Sequence, residues 1–291
     1  MSTRTSKDLE AQAQAATKLG SQSFYFASRF FPEELRRRAY AIYWFCRTTD
    51  DLVDEAPSRE EGERALNAWE AEFNDKATNN PILKHFHEIA RECEIPAEYA
   101  LDLIAGCRMD LDQARYATFD DLKLFCYRVA STVGLMMCHA IGFTPATNPA
   151  VAKQHAIQLG IAMQLTNILR DIGTDLKLGR IYLPTCDIDS FQYSEALLKD
   201  SQITPQFVEL MQFQAQRARR YYDAGVAGIP MLKPEGRFAV EIAAKVYSRI
   251  LDQIEVLHYD VFTHRAVVPA REKYWITAKS IAASQLARLS S

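Results

Sequence analysis

The stretch RTTDDLVD (residues 47–54) places Asp50 and Asp54 four residues apart, and NILRDIGTD (residues 167–175) repeats that spacing. Both stretches continue apolar runs with helical periodicity, and positions i and i+4 of a helix lie on one face. Two stacked carboxylates repel each other unless a cation lies between them. Oxygen ligands suit a hard ion of the Mg²⁺ type, which usually binds one or two carboxylates together with substrate phosphates. The two stretches therefore predict helices that carry a metal-dependent diphosphate site.

The second stretch belongs to a longer pattern. Gln164, Asn167, Asp171 and Asp175 follow steps of three, four and four residues, which drift only slowly around a helix. All four side chains are therefore expected to line one wall of a cavity, where Asn167 would add an amide oxygen to the metal ligands. Because the two motifs are far apart in the sequence, they lie on different helices and can face each other.

Arginines accompany both motifs. Arg47 precedes Asp50 by three residues and shares its helix face, and Arg170 borders the second wall; a guanidinium suits a diphosphate by charge and geometry. A single aspartate pair would be interpreted as part of a solvated helix surface. Here the core-type runs AIYWFC (residues 41–46) and IAMQL (residues 161–165) precede the motifs. Uncompensated carboxylates are costly to bury in such helices, so we interpret these aspartates as functional.

Helical periodicity extends nearly from end to end, and strand-like alternation is almost absent. We therefore predict a single all-α domain over residues 1–291, with its helices packed around a central cavity. Residues 1–17 are expected to be disordered or peripheral. Residues 271–291, which carry Trp275 between Lys273 and Lys279, are expected to form a helix that packs on the domain or lies in a membrane interface.

Composition excludes several classes of protein. The net charge of −3 argues against a general nucleic-acid binder. The N-terminus is polar, with no apolar signal segment, and no run of 18 apolar residues predicts a membrane-spanning helix. The six cysteines form no CxxC pair, so we expect free thiols and a cytoplasmic location, with peripheral membrane association as a further possibility. They are Cys46, Cys93, Cys107, Cys126, Cys138 and Cys186.

Two weaker patterns are interpreted conservatively. Asp110 and Asp112 are expected to lie on a solvated helix face. Glu255 and His258 form one carboxylate–histidine step, whereas a ferritin-like di-iron site needs two. The sequence also contains no HExxH motif. These observations argue against an oxygen-activating iron protein.

Four stretches together resemble the signatures of the squalene/phytoene synthase family, the head-to-head prenyl synthases. They are YWFCRTTDDLVD (residues 43–54), CYRVASTVG (residues 126–134), QLTNILRDIGTD (residues 164–175) and GRIYLP (residues 179–184). The likeness extends over residues 21–265 and implies an isoprenoid-synthase-type helical bundle. Residues 50–54 also fit the DDxxD motif of chain elongases and terpene cyclases, but the whole-chain likeness excludes those enzymes.

The resemblance also implies roles for individual residues. Mg²⁺, with Mn²⁺ as the alternative, would be held by Asp50, Asp54, Asn167, Asp171 and Asp175. The implied catalytic residues are Asp50, Asp54, Asp171, Asp175, Tyr43 and Arg47. The implied substrate-binding residues are Ser21, Ser23, Phe24, Tyr43, Arg47, Gln164, Asn167, Arg170, Tyr247 and Arg265. Without the resemblance, the two serines would be interpreted as helix caps and the aromatic residues as ordinary core side chains.

Within the family, the stretches at residues 179–184 and 259–269 resemble phytoene synthases. They imply that two C20 geranylgeranyl diphosphates are joined through a cyclopropylcarbinyl diphosphate to phytoene, the first committed step of carotenoid synthesis. The alternative is the C15 branch, which uses farnesyl diphosphate and gives presqualene diphosphate, dehydrosqualene or squalene. NADPH is not expected. Prenyl diphosphates are the expected partners, with peripheral membrane contact and no nucleic acid, and the oligomeric state is left open. A non-catalytic binding protein of the family would have lost the aspartates, which are all present here.

Overall fold

The computed structural model describes residues 6–112 and 115–289, and these residues form helices joined by short loops, with no strand beyond two isolated bridges. The all-α prediction is therefore confirmed. The α-helices are α1 Ser6–Gly20, α2 Gln22–Ser28, α3 Glu33–Asp54, α4 Arg59–Asn74, α5 Pro81–Glu92, α6 Ala97–Asp112, α7 Phe119–Cys126, α8 Thr132–Ile141, α9 Pro149–Lys177, α10 Thr185–Ser190, α11 Glu195–Lys199, α12 Pro205–Val226, α13 Pro234–Val256 and α14 Ala270–Leu289. A π-helical turn, Tyr127–Ser131, joins α7 to α8.

Caps and prolines set the helix starts. The Asn80 side chain accepts a hydrogen bond from the backbone N–H of Ile82 at 3.0 Å, and Pro81 occupies the first turn of α5. Asn148 and Pro149 start α9 in the same way. These residues satisfy or remove backbone donors that would otherwise have no partner. The boundaries of the two motif helices, α3 and α9, therefore follow from local sequence.

Helix α9 is the centre of the fold. It packs against α8, the π-helical turn, α12 and α13. Close approach requires Gly160, because a Cβ atom there would lie only 2.5 Å from the Cα of Ser131 in the π-helical turn. On another side of α9, Gly225 of α12 lies against Leu159. This tight packing fixes the face of α9 that carries the second motif.

Two apolar cores flank the cavity. The larger one surrounds α9 and α12 and includes Leu165 and Phe207, both almost fully buried. The second joins α3 to α4, α5 and α6, and its rings Phe45 and Phe86 stack with centroids 4.2 Å apart. Because α3 and α9 belong to different cores, their motif faces can border the space between the cores.

The two ends of the described chain, α1 and α14, pack against other helices of the domain. Residues 1–5 lie outside the described residues, but residues 6–20 form α1, whose Leu9, Ala13 and Thr17 are buried. This helix packs on α3 and its apolar stripe is covered. At the other end, α14 packs along α13, with residues 290–291 outside the described range.

One segment of the described residues, Phe119–Ile141, is long and apolar enough to cross a membrane. Half of its most apolar window is buried inside the fold, and its π-helical turn and α8 pack against α9. We therefore interpret it as a core helix. The cysteine prediction agrees with the structure: all six thiols are free, and four of them are buried.

Candidate active site

The cavity between α3 and α9 has two adjoining parts. The polar chamber, of about 620 Å³, contains the charged residues of both motifs. The apolar chamber, of about 260 Å³, extends from it between α8, α9 and α13. The two chambers share a boundary of six side chains, namely Tyr43, Val129, Val133, Gln164, Asn167 and Tyr247. All the site residues predicted from the sequence line one chamber or both.

Helix α3 forms the first wall of the polar chamber. Arg47, Asp50 and Asp54 line it from one helix face. A guanidinium nitrogen of Arg47 lies 3.5 Å from an Asp50 carboxylate oxygen, and Arg180 donates a hydrogen bond of 2.6 Å to Asp54. Burial and then repulsion from Asp54 raise the pKa of Asp50 to about 7. The accessible surface of Asp50 faces the cavity, so a cation placed there would relieve this unfavourable charge.

Helix α9 forms the second wall, with Gln164, Asn167, Asp171 and Asp175 on one face as predicted. The Asn167 amide donates to Gln164 at 3.3 Å, while its buried Oδ1 atom has no hydrogen-bond partner. Burial and repulsion from Asp171 raise the pKa of Asp175 to about 7. The second wall therefore also presents oxygens that lack a compensating positive charge.

Asp171 is the exception on this wall. Arg170 binds it through two hydrogen bonds, and Arg265 approaches it at 2.8 Å. Burial acts to raise the pKa of Asp171, but these two arginines outweigh it and hold the pKa below its ordinary value. In this structure, two of the three arginines predicted to bind substrate, Arg170 and Arg265, are therefore paired with a predicted metal ligand.

The donor set fits a hard divalent cation. It offers carboxylate oxygens and the unpartnered amide oxygen of Asn167, with no thiolate or imidazole among the predicted ligands. Within the described residues, no group of three or more acidic, histidine or cysteine side chains forms a ready-made metal cage. Carboxylate and amide oxygens of this kind suit an ion whose coordination is completed by substrate phosphates and water.

We expect added Mg²⁺ to raise the melting temperature more at about pH 8 than at about pH 5.5. The folded-state pKa values of Asp50 and Asp175 are raised to about 7, so the metal-free protein loses stability as pH rises from the unfolded-state pKa to about 7. Above that range both groups are charged, and a bound cation offsets their repulsion. Differential scanning fluorimetry with and without Mg²⁺ measures the effect. An Mg²⁺ effect that is equal or larger at the lower pH would contradict this account.

Several predicted substrate-binding side chains lie at the junction of the chambers or beside it. Ser21 caps α2 by accepting a hydrogen bond from the backbone N–H of Phe24, and its hydroxyl lies 3.3 Å from the Tyr247 hydroxyl. Phe24 stacks on Tyr43 with ring centroids 5.2 Å apart. Ser23 also lines the polar chamber. Ser21 is therefore both a helix cap and a cavity residue, so its two interpretations are compatible.

Lys273 belongs to the polar chamber, whereas the sequence analysis named it only as a lysine near Trp275 in the C-terminal segment. Its side chain is only 7% exposed. No carboxylate of the described part of the chain lies within salt-bridge distance of it, and burial lowers its pKa. A buried cation of this kind is available for a diphosphate. The sequence carries no local signal for it, because the position depends on how α14 docks.

The sequence-based interpretation of Asp110 was wrong. This residue was expected on a solvated helix face, but it lines the polar chamber and accepts a hydrogen bond of 2.9 Å from the Tyr182 hydroxyl. Burial raises its pKa to about 7. Asp112, by contrast, lies at the surface and pairs with Arg59. The signal was present in the sequence, since Asp110 lies on the same face of α6 as Leu103 and Cys107.

The apolar chamber is a long space with walls of small and apolar side chains. Asn167 and Ala152 mark its two ends along α9, and the fifteen-residue step from one to the other corresponds to about 22 Å of helix. The floor includes Phe31, Ile141 and Leu232. The polar chamber, with its arginine and lysine side chains, can bind a diphosphate. The deep apolar chamber joined to it can bind the hydrocarbon chain and protect a carbocation from water.

Comparisons with known proteins agree over nearly the whole chain. The squalene/phytoene synthase family model matches residues 17–272. The phytoene synthase of Arthrospira platensis is 41% identical over 266 residues, which cover 87% of this chain and 86% of that protein. The 15-cis-phytoene synthase of Synechococcus elongatus is 39% identical over 272 residues, which cover 87% of this chain and 86% of that protein.

Solved structures show the same architecture. A dehydrosqualene synthase crystallised with a ligand superposes with a TM-score of 0.88 and 31% identity, covering 96% of this chain and 97% of that one. A squalene synthase from Alicyclobacillus acidocaldarius gives a TM-score of 0.78 and 26% identity, covering 86% of this chain and 94% of that one.

Proposed function

The chain belongs to the squalene/phytoene synthase family, and from that premise we propose that it joins two geranylgeranyl diphosphates head to head to form phytoene. The observation that carries this proposal is the continuous path from the two acidic walls into a deep apolar chamber. Relatives named phytoene synthase, at about 40% identity, support the same product. The reaction would make this enzyme a prenyltransferase of carotenoid synthesis.

The polar chamber would bind the diphosphate groups. Asp50, Asp54, Asn167, Asp171 and Asp175 would hold Mg²⁺, which supplies Lewis-acid stabilisation of the departing diphosphate. The positively charged side chains of the chamber would bind and neutralise the same groups; they are Arg47, Arg170, Arg180, Arg265 and Lys273. Ser21 and Ser23 would add hydroxyl contacts.

The apolar chamber would protect the cations. Cleavage of the first C–O bond gives an allylic cation, which the 2,3 double bond of the second substrate attacks. The resulting tertiary cation closes the cyclopropane ring as a proton is lost from the carbon that carried the first diphosphate, and this gives the cyclopropylcarbinyl diphosphate. A second ionisation, rearrangement and proton loss then give phytoene. The faces of Phe24, Tyr43 and Tyr247 would stabilise positive charge at the junction of the chambers. Burial raises the pKa of Tyr43, so its hydroxyl remains protonated and does not trap the cation.

Chamber depth favours the C20 substrate over the C15 substrate. An extended geranylgeranyl chain is about 20 Å long, and an extended farnesyl chain is about 15 Å long, from ordinary C–C bond lengths. The path of about 22 Å from Asn167 to Ala152 accommodates the longer chain. A farnesyl chain would leave the floor around Phe31 and Ile141 without contact, which costs dispersion energy.

We expect purified protein with Mg²⁺ to convert geranylgeranyl diphosphate to a C40 hydrocarbon with a central triene, without NADPH. Mass spectrometry of extracted products from geranylgeranyl and farnesyl diphosphate, each with and without NADPH, measures this directly. A C30 product or presqualene diphosphate as the main outcome would assign the chain to the C15 branch. No product from either substrate would favour a non-catalytic binding protein.

We also propose that α14 contacts a membrane surface from the cytoplasmic side. Its inner face is polar, with Lys273, Thr277 and Ser280 buried against the domain. Its outer face carries Tyr274, which is 61% exposed, and Trp275, which is 59% exposed. Aromatic side chains with nearby lysines are typical of helices that lie in a membrane interface. The Lys279 ammonium lies over the Trp275 ring at 3.7 Å, and both the substrate and the product are lipids.

We expect the double variant Tyr274→Ser, Trp275→Ser to bind anionic liposomes roughly tenfold more weakly, because two interfacial aromatic rings are lost. Co-sedimentation measures the binding. The matched control is Ile203→Ser, which removes another exposed apolar side chain outside α14 and should leave the binding unchanged. Equal binding of the double variant and the unaltered protein would contradict the proposal.

A further inference from the structure

The wall of the polar chamber has an apolar part beside α6. Its lining residues come from α3, α6, α7 and α8 with the π-helical turn between them; they are Cys46, Leu103, Cys107, Phe125, Val129 and Val133. Asp110 lies one helical turn beyond Cys107 on the same face of α6. Its carboxylate is therefore at the boundary between the charged walls and a space suited to hydrocarbon.

The carboxylate of Asp110 is oriented on one side only. Its Oδ1 atom accepts the hydrogen bond from Tyr182, whose ring stacks on Phe125 at 5.2 Å and on Tyr116 at 5.9 Å. Within the described ranges 6–112 and 115–289, no cation lies within 4.0 Å of Asp110, and its Oδ2 atom accepts no hydrogen bond. Among the described residues, Oδ1 is thus held by a fixed donor and Oδ2 has no partner, while Asp110 lines the polar chamber.

The surroundings of Asp110 suit a proton acceptor. Burial is the main reason that its pKa is raised to about 7, ahead of the opposing effect of Arg180. A base is most effective when its pKa lies near the working pH. The titratable and charged groups that face it are Asp50, Asp54, Cys107, Tyr116, Cys126, Asp175, Arg180 and Tyr182. Burial raises the pKa values of Cys107 and Cys126, so these neighbouring thiols remain protonated.

We propose that Asp110 is the catalytic base that ends the reaction by removing a proton from the C40 allylic cation. This inference rests on the proposed function, because a product with a central double bond requires loss of a proton. The C–H bond beside the cationic carbon breaks, and its electron pair becomes the second bond of the central C=C. The proton passes to the Asp110 carboxylate and is later released to water, so no oxidant or reductant is consumed.

Asparagine at position 110 provides the test, because it keeps the shape of the side chain and an acceptor for Tyr182 but removes the basic carboxylate. We expect Asp110→Asn to form the cyclopropylcarbinyl diphosphate from geranylgeranyl diphosphate within a factor of about two of the unaltered enzyme. Conversion of that isolated intermediate to phytoene should fall by about 10²-fold, and water-trapped C40 alcohols should appear. Asp112→Asn, two residues away and at the surface, should behave like the unaltered enzyme.

Two results would overturn the inference: unchanged phytoene formation from the intermediate, or parallel loss of both half-reactions, which would indicate a structural or metal-binding role. If Asp110→Asn fails to fold, Asp110→Ala tests the same proposal, with added formate as a replacement for the missing carboxylate. Rescue of phytoene formation supports the base, and absence of rescue in a folded variant refutes it. Failure of the proposed function is distinguished by the unaltered enzyme, which would then make no C40 hydrocarbon.

Discussion

Asp50→Asn is expected to lower Mg²⁺-dependent turnover by roughly 10³-fold and, at the same time, to raise the stability of the metal-free protein. Both effects have one cause. Burial and the charge of Asp54 disfavour the charged form of Asp50, so Asp50→Asn removes an unfavourable charge from the metal-free protein. In the proposed reaction, the same charge would hold the cation that stabilises the departing diphosphate. A residue retained only for structure would not show opposite changes in activity and stability.

Asp171→Asn gives the comparison. Turnover should fall by a similar roughly 10³-fold, but stability should also fall, because Arg170 and Arg265 lose their carboxylate partner and a buried unpaired guanidinium is costly. Product formation by mass spectrometry and melting curves without metal measure both quantities. Asp120→Asn, at a carboxylate that is 91% exposed, is the control and should change neither. Retained activity in either site variant would refute the role proposed for that aspartate.

Gly160→Ala is expected to destabilise the fold by about 3 kcal/mol, although replacing glycine by alanine normally stabilises a helix. The added Cβ atom would lie 2.5 Å from the Cα and 2.7 Å from the N atom of Ser131, and 2.9 Å from the carbonyl carbon of Ala130. All three are backbone atoms of the π-helical turn, so no side-chain rotation can relieve the contact. Helix α9 must move away from the turn that borders both chambers.

Thermal melts test this expectation, with a fall of about 5 °C for a domain of this size. Gln154→Ala, at an exposed position of the same helix, is the control and should shift the melting temperature only slightly. A melting temperature unchanged by Gly160→Ala would mean that α9 and the π-helical turn are not packed at the distance described here.

Local periodicity was sufficient to predict the two walls. Asp50 and Asp54 share a face because they are one helical turn apart, and the same holds for Asn167 and Asp171, so no tertiary information was needed. The aromatic junction, with Phe24 stacked on Tyr43, came only from the family resemblance. The residues selected by sequence pattern and resemblance line the two chambers, while their roles in binding metal and diphosphate remain predictions.

The residues that the sequence analysis missed depend on packing between distant elements. Arg180 reaches Asp54 only because the segment after α9 folds back towards α3. Lys273 enters the polar chamber only because α14 docks along α13. Asp110 was assigned to solvent because a charged residue on a helix is usually exposed. Asp110 does not follow this pattern, because Leu103 and Cys107, which precede it on the same face of α6, are buried.

The double pairing of Asp171 has a consequence for how ligands bind. A diphosphate that draws Arg170 and Arg265 towards itself releases the Asp171 carboxylate for a metal ion, and a metal ion on Asp171 releases both arginines for the diphosphate. Each ligand therefore removes a cost that the other would have to meet. By thermodynamic reciprocity, the factor by which metal tightens diphosphate binding equals the factor by which diphosphate tightens metal binding. From this pairing we expect heterotropic coupling, in which neither ligand binds tightly until both are present.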